Sequence, residues 1–259
     1  MEPLSFGSLR EFFPKYEAID RVRVHAVLGG IPAYLVQFTD AVSLETNLQT
    51  AVLGPTAPLR EEVRFILTEE LRNPKQYLSV LEAISFGRAR LNEIVQHTTL
   101  DRGPVSKYLA VLQELRIVER EVSVTEPAPH QSRKGRYRIG DPFFRFWFRF
   151  VNAHRSELAD RGPSHVLKTH ILPHLEAFIG QAFEYTCREI LRDRVLTGRL
   201  AVEYDRLGRH WDPTMEVDLV AMRGRAVHPR TPAKGARRPV GLVIDTSALV
   251  SGVLLADTP

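Results

Sequence analysis

The chain has 259 residues, 44% apolar and 25% charged, a balance that excludes a disordered or fibrous protein and leaves room for one large domain or several small ones. Lys and Arg number 35 against 31 Asp and Glu, a net charge of +4. Six of the basic residues (Arg223, Arg225, Arg230, Lys234, Arg237 and Arg238) lie in one acid-free stretch, and without them 29 basic residues face 31 acidic ones. The basic excess is therefore largely one segment's property. A single cysteine, Cys187, excludes an intramolecular disulfide and a Cys-based zinc cluster. No basic region followed by an apolar stretch opens the chain, so no signal peptide is expected and the protein reads as cytoplasmic. Val240 to Ala256 is largely apolar, but Asp245 interrupts it at a cost of roughly 2.5–3.5 kcal/mol near mid-membrane. A buried strand and helix is expected there instead of an anchor.

In chain order, Phe12, Phe13, Tyr16, Ile19, Val22 and Val27 are spaced by threes and fours and predict a helix over residues 9–28. Gly29-Gly30-Ile31-Pro32 ends it, and Ala33 to Phe38 begins another short one. Leu59, Val63, Ile66, Leu67 and Leu71 make one helical face, stopped by Asn73-Pro74. Tyr77 to Ile84, Leu91 to Val95 and Val105 to Leu115 then predict three short helices, the third with Pro104 at its first position. Ile117 to Val124 alternates as a strand, and Arg136 to Ile139 returns as a second. Three helices and a two-stranded ribbon is the order of a winged helix-turn-helix.

Asp141-Pro142 opens a helix with six aromatics in eight residues, Phe143, Phe144, Phe146, Trp147, Phe148 and Phe150, whose helical spacing predicts core. A long helix follows over about residues 167–190, then a strand or loop at 195–204 and a turn at Trp211-Asp212-Pro213. Glu216 to Ala221 alternates as a strand with Glu216 and Asp218 on one face. Residues 223–239, rich in Pro, Gly, Ala and Arg, read as a linker, and Val240 to Asp245 as a short buried strand.

Several stretches together resemble the archaeal-type ATPases of prokaryotes, which join an ATPase core to a winged helix and a C-terminal domain of unknown function, family 234. They are Leu28-Gly-Gly-Ile-Pro-Ala-Tyr-Leu35, Leu67-Thr-Glu-Glu-Leu-Arg-Asn-Pro74, Val105-Ser-Lys-Tyr-Leu109, Ser132-Arg-Lys-Gly-Arg-Tyr-Arg-Ile139 and Asp141-Pro-Phe-Phe-Arg-Phe-Trp-Phe148. Gly180, Phe183-Glu184 and Glu216-Val-Asp-Leu-Val220 complete the set. The resemblance implies an α+β, mainly helical chain. Its expected parts are a helical lid remnant at 1–74, a winged helix at 75–152 and a small α/β, restriction-endonuclease-like domain at 153–222. A basic linker at 223–239 and an incomplete strand-helix at 240–259 would follow.

The ATPase core of such proteins needs a G-x-x-x-x-G-K-[ST] loop to cradle phosphates, and this sequence contains no Gly-Lys dipeptide. A truncated or rearranged family member without ATP hydrolysis of its own is expected, ATP and Mg being implied only for the full-length family. Gly29, Gly30 and Pro32 match the lid motif that lies against nucleotide in related ATPases. The winged helix implies DNA binding, with Arg102, Ser106 and Lys107 at the N-terminal end of the third helix and Arg133, Lys134 and Arg136 in the wing. A partner ATPase subunit, contacted through the lid, is the other binding expectation.

The nuclease-like domain resembles the PD-(D/E)XK fold, where carboxylates hold Mg or Mn and activate water. Glu184 fits its helix acid and Asp218 its strand acid, with Glu216 on the same face, while the Glu-x-Lys element is missing. The alternative function is thus a metal-dependent nuclease using Glu184, Glu216 and Asp218, completed by a linker lysine such as Lys234. The competing reading gives Glu184 and Asp218 ordinary ion pairs with Arg188, Arg192 or Arg209. Val243-Ile-Asp-Thr-Ser-Ala-Leu249 resembles the opening of a PIN-type ribonuclease, with Asp245 as its first acid. His170 and His174, four apart, are weak evidence for a metal without a third partner.

Overall fold

A computed structural model describes residues 3–199, 204–223 and 241–243, and the chain divides into two compact units. One comprises residues 1–120 and 136–183, the other residues 121–135 and 184–259.

In the first unit, the helix expected over 9–28 is split into α1 (Leu9–Phe12) and α2 (Ala18–Leu28). Pro14 is the cause. Its ring bars the helical conformation from the preceding residue, and Phe13 sits at φ −129°, ψ 66°. Gly29 ends α2 at φ 67°, a value glycine adopts without strain. α3 (Pro32–Leu35) starts with its proline at the first helical position, and α4 (Leu44–Asn47) is capped by Ser43, whose Oγ accepts from the Thr46 amide at 3.3 Å. A π-helical segment, Leu48–Leu53, continues α4. Buried Asn47 is fully engaged there: its Nδ2 donates to the Tyr16 hydroxyl at 2.8 Å and the Thr39 carbonyl at 2.7 Å, and its Oδ1 accepts from the Thr39 amide at 3.0 Å.

α5 (Glu62–Glu70) begins after Leu59, yet Leu59, Val63, Leu67 and Leu71 are all buried as the spacing predicts. α6 (Pro74–Ser85), α7 (Leu91–Thr98) and α8 (Arg102–Glu114) pack on one another through Val80, Leu81, Ile84, Ile94, Val105, Leu109 and Leu112. A reciprocal cap opens α7, the Arg90 amide donating to Glu93 at 2.9 Å. α8 starts at Arg102, so Pro104 falls inside the first turn, where its missing N–H has no intrahelical partner to lose. β1 (Val118–Glu121) pairs with β2 (Arg136–Ile139) in a two-stranded sheet.

α9 (Pro142–Phe146) is capped by Asp141, whose Oδ1 accepts from the Phe144 amide at 2.8 Å, and runs on as a π-helical segment, Trp147–Asn152. The six aromatics of this stretch are each at most 2% exposed. Six large rings in eight residues cannot share one narrow helical face, so most of the helix surface is buried and only the strip of Arg145 and Arg149 reaches solvent. Phe178 packs edge-on against Phe146 and Phe150, centroids 5.8 and 5.4 Å away. Trp147 Nε1 donates to the Arg60 carbonyl at 2.7 Å. α10 (Arg155–Asp160), α11 (Pro163–Val166) and a π-helical segment, Leu167–Ile171, lead into α12 (Leu172–Leu196), within which the boundary between units falls.

The second unit is built on an antiparallel sheet of order β3-β4-β5: β3 (Arg206–Trp211), β4 (Glu216–Met222) and β5 (Gly241–Val243). β3 is unexpected from sequence, where Arg206-Leu-Gly-Arg-His-Trp211 lacks an apolar alternation. Pairing supplies what the pattern does not: Gly208 sits opposite Val220 and Trp211 opposite Glu216, with a register shift at Arg209. Residues 121–135 add to this unit through the Val124 amide, which donates to the Arg209 carbonyl at 2.8 Å. Val124, Val220 and Met222 form its small apolar cluster, with Val217 against it. Val243 lies opposite Val220, so β5 extends the β4 sheet instead of opening a separate terminal segment. Of the expected linker at 223–239, residues 224–239 lie outside the described residues, as does the PIN-like stretch from residue 244 on, with Asp245. Among the described residues no helix is long and apolar enough to cross a membrane.

Candidate functional site

In the first unit, Arg102, Ser106 and Lys107 are exposed at the N-terminal end of α8, whose first turn carries no acid. The Arg102 guanidinium donates to Asn92 Oδ1 at 3.0 Å, which sets its direction from α7. Arg136 lies on β2, half-buried, and the neighbouring Arg138 is ion-paired with Glu119. In the second unit, Arg133 and Lys134 are exposed, but Lys134 Nζ lies 3.4 Å from Glu126. Within each unit, acids on neighbouring segments thus balance Lys134 and Arg138.

Gly29 and Gly30 have a packing role. A Cβ on Gly30 would stand 2.0 Å from the Leu4 carbonyl oxygen, and one on Gly29 would stand 3.0 Å from Pro142 Cγ. The Leu4 amide also donates to the Gly30 carbonyl at 2.8 Å. Close backbone approach therefore requires glycine at position 30, the positive φ of 67° favours it at position 29, and Pro32 serves α3 as its first residue. The 259 residues hold no phosphate loop beside these positions.

The nuclease-like acids converge on an arginine. Arg209, at the register shift in β3, donates to Glu216 at 2.8 Å and lies 3.7 Å from Glu184 and 3.9 Å from Glu121. Burial lowers the guanidinium's hold on its proton, but Tyr185, Glu184, Glu121 and Glu216 more than offset this and raise it. A divalent ion placed between Glu184 and Glu216 would meet that fixed positive charge. Asp218 lies on β4, and its side chain, like those of Arg188 and Arg192, falls outside the described residues. Cys187 is fully buried, and burial, with Glu184 adding to it, pushes its thiol up to about 12, which leaves it inert.

On the same sheet, His210 Nδ1 meets the hydroxyls of Thr125 and Ser123 at 2.9 and 3.2 Å. These contacts fasten the 121–135 segment to β3. Asp212 accepts from the Thr214 hydroxyl and amide and from the Met215 amide, which together hold its carboxyl at about 2.

A histidine cluster in the first unit was not anticipated as a unit from sequence. Glu157 Oε2 meets His170 Nε2 at 2.9 Å and His165 Nε2 at 3.2 Å. The His154 ring stacks on His170 with centroids 3.9 Å apart. His174, the expected companion of His170, is exposed and outside the group. The legible signal was the His154-x-x-Glu157 spacing at the start of α10, which puts the two side chains on one face. A shallow groove of about 320 Å³ lies elsewhere in this unit, between Tyr16, Arg23, Glu45 and Glu176. Arg23 spans it in ion pairs with Glu176 at 2.8 Å and Asp20 at 3.0 Å.

Residues 147–228 match DUF234, a family described as archaea bacterial proteins of unknown function. The DUF234 match takes in the aromatic helix from Trp147, the histidine cluster and the Arg209 group. The chain is also 31% identical over 226 residues to the "Uncharacterized protein MJECL04" of Methanocaldococcus jannaschii. That alignment covers 86% of this chain and 49% of the relative, so the chain spans about half the length of the curated relative it matches. No solved structure matches the chain.

Proposed function

We propose that this chain is a DNA-binding module of the archaeal-type ATPase group, with no ATP hydrolysis of its own. One observation carries the reading: Arg102, Ser106 and Lys107 stand exposed over the first two turns of α8, which Asp101 precedes as N-cap. There, backbone N–H groups and two cations can meet a phosphate. The order α6-α7-α8-β1-β2 supports a winged helix-turn-helix around them, in which α8 is the helix that enters the groove. A partner-subunit reading through Gly29, Gly30 and Pro32 has less support, because Leu4 and Pro142 already cover the glycines. The nuclease alternative has less support for the reason given by Arg209.

The test is fluorescence anisotropy on a labelled duplex across a salt series, comparing the chain with its Arg102→Ala/Lys107→Ala variant. Phosphate contacts release counterions, so log K falls against log salt by about 0.9 per contact. Loss of two contacts should lower that slope by nearly two and weaken binding at every sequence alike. Equal affinity and equal slope in both proteins would overturn the reading.

A further inference from the structure

We propose that His154, Glu157 and His170 form a binding site for one divalent transition-metal ion of the zinc class, with His165 as an auxiliary ligand. One ligand atom from each of the first three lies within 4.8 Å of the other two. Zn–N and Zn–O bonds are about 2.0–2.2 Å, so donors about 4 Å apart can share an ion. Small rotations of these half-exposed side chains close the remaining gap. The site is assembled from three consecutive elements: His154 and Glu157 at the start of α10, His165 in α11 and His170 in the π-helical segment before α12.

Two features separate the group from a chance meeting of polar residues. His154 Nδ1 lies 3.0 Å from the Phe150 carbonyl, which can only accept, so Nδ1 carries the proton and Nε2 keeps its lone pair. That is the arrangement by which metal-ligating histidines are usually oriented, the far nitrogen donating to a carbonyl. The second feature is convergence: one carboxylate oxygen serves two imidazoles, at 2.9 and 3.2 Å, and the His154 ring, stacked on His170 at 3.9 Å, has to turn out of that stack to share an ion with it. Imidazole-rich donors with a single carboxylate select zinc, copper or nickel over magnesium or calcium. Arg161 reaches to 3.5 Å of His165 Nε2 and competes for that nitrogen, which is why His165 is auxiliary. The proposal stands apart from the DNA-binding reading and survives its failure.

The test is a zinc titration of the full chain against a chromophoric chelator, repeated for the Glu157→Gln, His154→Ala, His170→Ala and His174→Ala variants. One ion per chain is expected, with affinity lost at least tenfold in the first three variants and unchanged in the fourth. Thermal melts without metal establish that each variant folds. If His170→Ala does not fold, cobalt substitution of the unaltered chain decides: intense visible bands of four-coordinate N/O ligation support the site. Weak octahedral bands, absence of zinc binding by the folded chain, or affinity untouched by His154→Ala would each overturn it.

Discussion

The two units of this protein are held by different forces. The first is built on apolar packing, with Phe143, Phe144, Phe146, Trp147, Phe148 and Phe150 nearly free of solvent and buried polar groups such as Asn47 fully hydrogen-bonded. The second has a small cluster of Val124, Val220 and Met222, and gathers three carboxylates about Arg209 and two hydroxyls about His210. Apolar burial is indifferent to salt, whereas charge pairs weaken as ions screen them. The contrast also bears on function. Glu157 is a carboxylate ringed by imidazoles that can accept a cation, while Glu184 and Glu216 surround a cation the chain already supplies.

The largest expected effect attacks the first unit. Trp147→Ala removes a fully buried ring and leaves the Arg60 carbonyl without its donor, and should cost about 4 kcal/mol in chemical denaturation. A cost near zero would mean that the aromatic helix is not the centre of that core.

A pH effect in the same unit comes next. His25 is buried, and burial first and Arg145 second lower its imidazole from 6.5 to about 4. The folded protein thus favours the neutral ring. Its contribution is fully present above pH 6.5 and is lost as pH falls through 4, amounting to about 3 kcal/mol. Denaturation curves between pH 7 and 4 should show this decline, and His25→Gln should flatten it; an unchanged decline would place its origin elsewhere.

The smallest effect belongs to the second unit. Arg209→Ala leaves Glu121, Glu184 and Glu216 without their shared cation and should cost about 2–3 kcal/mol, less than a fully dry ion pair because the guanidinium is partly solvated. Hydrogen exchange should locate the loss in the β3 and β4 amides, and added salt should shrink it by screening the carboxylates. Loss spread evenly over the chain would erase the distinction between the units.

Legibility from sequence followed the same division. α6, α7, α8, β2 and the aromatic helix could be read because their apolar residues recur at helical or strand spacing and their ends carry Pro, Gly or Asp. The break at Pro14 was also written in the sequence, since a proline constrains its neighbour, but the run of apolar residues across it masked the signal. β3 was not legible: Arg206 to Trp211 has no alternation, and its strand exists because β4 and the 121–135 segment supply partners. The candidate site residues divide likewise. Arg102, Ser106 and Lys107 stand where a helix start puts them, whereas pairing Glu184 and Glu216 with Arg209 joins residues far apart in sequence.

The sequence by itself determined the helices of the first unit, the burial of its aromatics and the lack of a phosphate loop, because these depend on local spacing and on residues within a few positions of one another. Tertiary structure alone decided what the acids and histidines do. Whether Glu157 meets imidazoles and Glu216 meets a guanidinium depends on contacts across turns and strands, where charge and hydrogen-bond geometry, not periodicity, fix the outcome.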